Sequence, residues 1–208
     1  MKSDYFCYVE ENEIKFSYIR RGTVNPITGK KMGLLDEDDI YQDFNLFPIV
    51  EDKPTYNEFS QKLTGPTLEV DLQNKVVNKT WVVEDIPIDI IKSSLIDKLN
   101  SFVKDKEIGG IYDNAYGNIR TDEKTQVRLS QAMLQVTIDE NTVYNWKMSN
   151  GSFIELDKTK IIEIYTLVNT HVEKCFDIEK QLTEKINLID DVVELENLKF
   201  EIEWNNLY

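Results

Sequence analysis

The chain has 208 residues, 41% of them apolar and 11% aromatic, enough to build one full-sized domain or two small ones and too apolar for a disordered polymer. Its 38 acidic residues outnumber 24 Lys and Arg to leave a net charge of −14, which repels nucleic-acid phosphates and anionic membrane surfaces and argues against nucleic acid as a main partner. No apolar run reaches the roughly 18 to 20 residues needed to cross a bilayer, so no membrane insertion is expected. The opening Met1-Lys2-Ser3-Asp4 lacks the hydrophobic stretch of an export signal. The expected place of synthesis is therefore the cytoplasm, where two distant cysteines, Cys7 and Cys175, read as buried thiols rather than a disulfide framework.

Tyr5 to Val9 and Ile14 to Ile19 are aromatic and β-branched runs split by Glu10-Glu11-Asn12-Glu13, a pattern that predicts two paired strands. Between Ile14 and Leu35 the cations Lys15, Arg20, Arg21, Lys30 and Lys31 occur without an acid; this reads as a solvated or partner-facing surface. A loop with Pro and Gly turn residues follows, then the acidic run Asp36-Glu37-Asp38-Asp39. That run lacks the turn glycine and distal glutamate of a calcium loop, and is read as solvated.

From Phe44 to Asp85 the chain is extended and punctuated by Pro48, Pro54 and Pro66. Thr67 to Leu72 alternates with period two, Gln73-Asn74 makes a turn, and Lys75 to Val83 answers it as the second arm of a hairpin. Character changes at Asp85-Ile86-Pro87, where Asp85 is the expected N-cap of a helix with Pro87 in its first turn. Ile88, Ile91, Leu95, Leu99 and Phe102 line one face of that helix, which ends before Gly109-Gly110.

Gly110 to Arg120 suits a short hairpin, and Thr121 or Asp122 caps a second helix. Its expected core stripe is Val127, Leu134 and Ile138, widened by Leu129, Met133 and Val136. Asn150-Gly151 marks a hairpin spanning Tyr144 to Leu156. Asp157 then caps the longest helix, with Ile161, Tyr165, Val168, Val172, Cys175, Leu182 and Ile186 at three- and four-residue spacing. Phe200 to Trp204 alternates again and predicts a strand or extended arm. The sum is an α+β chain: a β-rich, extended docking region over 1–85, and over 86–208 a small three-helix domain with a hairpin and an extended tail.

The catalytic inventory is sparse. The one histidine, His171, precedes Cys175 by a helical turn, so the pair is a weak candidate for metal ligation or for a nucleophile and its base. A structural zinc site needs four ligands, and no spacing of acids points at this pair, so the reading preferred here is a packed helix face. There is no Gly-x-Ser-x-Gly elbow, phosphate loop, dinucleotide glycine motif or His-Glu-x-x-His, and no cofactor is expected. Asn78-Lys79-Thr80 and Asn150-Gly151-Ser152 match glycosylation sequons, which matter only in an exported chain. Aromatic residues are the remaining clue: Tyr41, Phe44, Tyr56, Phe59, Trp81 and Trp204 are of the types that anchor protein interfaces.

The order of short motifs carries a resemblance. Phe47-Pro48-Ile49-Val50-Glu51-Asp52, Lys53-Pro54-Thr55-Tyr56, Gln61-Lys62-Leu63, Lys75-Val76-Val77 and Thr80-Trp81-Val82-Val83 resemble the front of proteins encoded among the tail-fibre genes of tailed bacteriophages and prophages. Gly110-Ile111-Tyr112-Asp113, Arg120-Thr121-Asp122, Trp146-Lys147, Asn150-Gly151-Ser152-Phe153 and His171-Val172-Glu173-Lys174-Cys175-Phe176 resemble a domain of unknown function often found with it. The likeness runs over about residues 44–188, with Ile202-Glu203-Trp204 similar to the family's ending; residues 1–43 match nothing. It implies a tail-fibre or tail-fibre assembly protein, made in the host cytoplasm and placed in the virion tail, whose partners are other tail, baseplate or fibre proteins. A homo-oligomer suits such a component. The alternatives are a fibre-assembly chaperone that stays in the host cytoplasm and an enzyme acting on host-surface glycans, and the resemblance brings no catalytic residues with it.

Overall fold

The computed structural model describes residues 3–22, 45–148 and 150–208. The chain is α+β and divides into two compact units, Met1–Ile86 and Pro87–Tyr208.

The first unit is a five-stranded sheet in the order β2-β1-β3-β5-β4, made of β1 (Tyr5–Glu10), β2 (Glu13–Arg20), β3 (Leu46–Asp52), β4 (Gln61–Asp71) and β5 (Val76–Asp85). Glu11 and Asn12, both at positive φ, form the two-residue loop joining β1 to β2, the geometry that matches the twist of paired strands. β1 is buried on both faces: Phe6 and Tyr8 pack with Leu46, while Cys7 and Val9 pack with Phe47 and Val77. The candidate loop residues Tyr41 and Phe44, the cations Lys30 and Lys31 and the acidic run at 36–39 lie outside the described residues.

Pro48 shows why a proline fits inside this sheet. β3 pairs antiparallel with β1 through Leu46, Phe47 and Pro48, then parallel with β5 from Ile49 onward. The missing N–H thus falls where the strand leaves one ladder for the other. The expected hairpin is present as β4 and β5, longer than its alternating segment because pairing runs from Asp71–Val76 back to Gln61–Asp85. A register shift at Gly65-Pro66 interrupts it. Gly65 has φ +116°, and an added Cβ would lie 3.2 Å from the Thr67 nitrogen and 3.3 Å from the Thr80 oxygen, so only glycine fits without displacing backbone.

In the second unit α1 (Ile88–Ile108) and α2 (Glu123–Ile138) both pack on α3 (Lys158–Leu188). Two small hairpins, β6 (Ile111–Asp113) with β7 (Gly117–Ile119) and β8 (Tyr144–Lys147) with β9 (Phe153–Leu156), connect the helices. Short helices α4 (Val192–Asn197) and α5 (Phe200–Leu207) follow. The Lys92 ammonium meets the Asn187 carbonyl, whereas the Glu107 carbonyl meets His171, so α1 and α3 run antiparallel. One core joins Leu129, Ala132 and Val136 of α2 to Ile161, Ile164 and Val168 of α3, with Ile119, Trp146 and Leu156 from the hairpins. Fully burying each of the Leu, Ile and Val side chains contributes about 1.5–3 kcal/mol.

Three expectations change. Asp85 is the last residue of β5, and α1 starts with Pro87 at its N-cap; the Pro87 carbonyl accepts from the Ile90 and Ile91 N–H groups, with no side-chain cap. On α2, Val127, Leu134 and Ile138 are exposed, and the buried face carries Thr125, Leu129, Ala132 and Val136. The tail is not an extended arm: Phe200 to Leu207 is helical. Phe200, Trp204 and Tyr208 recur every four residues and share one helix face. Among the described residues, no helix is long and apolar enough to cross a membrane.

Candidate functional site

One face of the sheet gathers aromatic and charged side chains from four strands. Trp81 on β5 donates its indole N–H to Glu51 Oε1 on β3 at 2.9 Å, and the Lys79 ammonium reaches the same oxygen at 2.9 Å. The Lys79 ammonium also lies 5.3 Å from the Trp81 ring centre and 5.7 Å from that of Tyr18 on β2; the Lys53 ammonium lies 6.0 Å from the Trp81 ring centre. These cation–π contacts and the ion pair fix the rings at the surface. The bonds from Lys79 and Trp81 hold the Glu51 carboxyl below its usual range.

Tyr18 is set by a β-bulge. The pairing of β1 with β2 shifts between Phe6–Ile19 and Tyr8–Phe16, and Tyr18 lies in the shift with φ +57°. An aromatic residue in the left-handed region carries roughly 1–3 kcal/mol of strain, and the bulge brings its ring within reach of Tyr5, edge to face at 6.4 Å, and of Lys79. Tyr5 and Tyr18 are 47% and 45% exposed. Among the described residues β2 is also an outer strand of the sheet, so the aromatic surface adjoins a sheet edge. Beneath the face, burial pushes the Cys7 thiol up, with a backbone hydrogen bond from Tyr18 opposing it.

The second cluster is internal. The His171 Nε2 lies 3.2 Å from the Lys106 carbonyl and 3.1 Å from that of Glu107. Carbonyl oxygens only accept, so Nε2 carries the proton; in the neutral ring Nδ1 then accepts the Tyr208 hydroxyl at 2.8 Å. Lys106 and Glu107 belong to the last turn of α1, whose carbonyls have no partner within the helix. His171 therefore caps α1 from α3. Thr121 joins it by donating its hydroxyl to the Glu107 carbonyl while accepting the Gly110 N–H at 3.0 Å. The buried Glu107 carboxylate accepts from Gln126 at 3.1 Å and lies 3.5 Å from Lys104.

The structure brings His171 and Cys175 together, with Sγ 3.7 Å from Nε2. Burial and the neighbouring Glu107 carboxylate push the Cys175 thiol up to about 11, so it is protonated at neutral pH. A protonated thiol is a poor nucleophile and a poor ligand, and both ring nitrogens already have protein partners. Among the described residues, no three His, Cys, Asp or Glu side chains converge as a metal site would require.

Trp204 belongs to this interior. It is 5% exposed, stacks on Tyr208 with ring centres 5.3 Å apart, and meets Phe102 edge to face at 5.8 Å, so it is withdrawn from the candidate docking residues. Tyr56 and Phe59 are half-buried near a turn in which Asn57 Oδ1 accepts the Phe59 N–H at 2.9 Å. Of the docking candidates among the described residues, Trp81 is the one in the aromatic face; its neighbours Tyr18 and Lys79 are not among those candidates. The signal for Tyr18 was its place in an aromatic edge strand; nothing local in the sequence pairs β5 with β3.

A family model described as a domain of unknown function (DUF4376) matches residues 90–199, just over half of the chain and nearly all of the second unit. No curated protein and no solved structure matches the chain.

Proposed function

The chain belongs to the DUF4376 family, and from that premise we propose that it is a bacteriophage tail-associated structural or adaptor protein whose first unit docks on tail or tail-fibre proteins. The observation that carries the reading is the face formed by Tyr5, Tyr18, Lys79 and Trp81. Large aromatic rings already held in place lose little side-chain freedom on binding, which is why such residues dominate interfaces. The β2 edge beside them, unpaired among the described residues, is of the kind that offers backbone groups to a partner strand. The resemblance of residues 44–188 to proteins of tail-fibre gene regions supplies the class of partner.

Mass spectrometry of purified virions tests the reading. The protein is expected in particles, and a Y18A/W81A variant is expected to fall out of them while remaining folded. Absence of the wild-type protein from virions that retain their other low-copy tail proteins would remove the structural role. If deleting the gene also left the fibre insoluble, a folding helper would take its place.

A further inference from the structure

We propose that a cavity in the second unit, between the start of α2, the end of β7 and β8, binds a small phosphate ester. This does not depend on the tail-protein reading, since it uses a different unit and a different chemistry. Arg120 follows β7, Lys124 and Arg128 stand one turn apart on α2, and Lys147 ends β8; all four line one cavity of about 270 Å³.

In a chain of net charge −14 such a gathering is contrary to the background. None of the four is in an ion pair among the described residues, while nearby acids are engaged: Asp122, which also lines the cavity, accepts the Thr125 N–H at 3.0 Å, and Glu123 pairs with Lys104 at 2.8 Å. Like charges around one space repel each other, and an anion between them relieves that repulsion. Screening over about 8–10 Å separates the site from the acidic remainder of the surface.

Two further observations make this a built pocket rather than a chance run of surface cations. The Arg128 guanidinium lies over Trp146 with its carbon 5.0 Å from the ring centre, and Trp146 is itself part of the core, so the guanidinium is held on a fixed support. Thr125 is only 8% exposed, yet its hydroxyl has no hydrogen-bond partner among the described residues. Thr125 is one of the residues that line the cavity. The 16-residue α2 adds the partial positive charge of its N-terminus.

Charge and size select the ligand. The four cations less Asp122 leave three positive charges, which suit a phosphate monoester at about −1.5 to −2 better than a single carboxylate. The volume equals about nine waters at roughly 30 Å³ each, room for the phosphate and one sugar-sized body.

Calorimetric titration of the full chain at low salt tests the proposal, with glucose 6-phosphate, inorganic phosphate, glucuronate and glucose as probes. Glucose 6-phosphate should bind, inorganic phosphate and glucuronate more weakly, and glucose not detectably; affinity should fall as salt rises. The K124A/K147A variant removes two exposed lysines and should weaken binding about tenfold or more, with R128A weakening it further and T125V several-fold. Circular dichroism on each variant establishes that the fold persists. The proposal is overturned if folded wild-type protein gives no heat with glucose 6-phosphate at millimolar concentration, if glucuronate or glucose binds as well, or if K124A/K147A keeps wild-type affinity.

Discussion

Glu51 shows how one carboxylate organises a surface, and its depressed pKa makes that role testable. A carboxyl held below its usual value in the folded state contributes stability that is present above the unfolded value, near 4.3, and is lost as pH falls through the folded one. Wild-type protein should therefore be more stable than E51Q at pH 7, and the difference in urea midpoint should shrink from about pH 5 downward, tending to zero once the folded carboxyl is protonated. A difference independent of pH would mean that Lys79 and Trp81 respond to the shape of the side chain rather than its charge. His171 is a residue whose chemistry was half legible. Its spacing from Cys175 places both on one helix face, but its partners are carbonyls 64 and 65 positions away in α1, and a histidine reads the same in sequence whether it caps a helix or holds a metal.

At the scale of elements, α5 is the instructive case. Period-two alternation in Phe200-Glu201-Ile202-Glu203-Trp204 is also a spacing of four between Phe200 and Trp204, and the two patterns part only when the partner surface is known. Phe102 and Phe200, with ring centres 5.9 Å apart, and Lys106, paired with Glu201 at 3.0 Å, supply that surface. Trp204→Ala should cost about 3–5 kcal/mol, seen as a lower urea midpoint, with a stronger near-ultraviolet change than helix loss. A cost below about 1 kcal/mol would show that α5 is not anchored there. Val127, Leu134 and Ile138 misled for a related reason: α2 carries apolar residues on two faces, and which one is buried depends on where α3 passes. The hairpin of β8 and β9 was legible because its signal is local. Gly151 has φ +87° and Asn150 accepts the Ser152 N–H at 2.9 Å. The cavity lined by Arg120, Lys124, Arg128 and Lys147 was not: β7 and the start of α2 are consecutive in the chain, but no local signal brings β8 against them.

At the scale of the whole molecule the dominant quantity is the charge of −14. Self-repulsion destabilises a compact state of high net charge, while the ion pairs of the described residues mostly involve exposed partners, each contributing about 0–1 kcal/mol. Repulsion should win, so raising sodium chloride from about 0.05 to 0.5 M, which shortens the screening length well below 10 Å, is expected to raise the melting temperature. A fall would show that the ion pairs outweigh the repulsion. The strand order has another consequence, for the chain during its own synthesis. β3 gains its second neighbour only when β5 arrives, because β4 lies on the far side of β5. Between Asp52 and Val76 a ribosome adding about 5–20 residues per second needs roughly one to five seconds, and for that interval the nascent sheet presents an unzipped border. The growing polypeptide is then most open to capture by a chaperone or to sticking to its siblings.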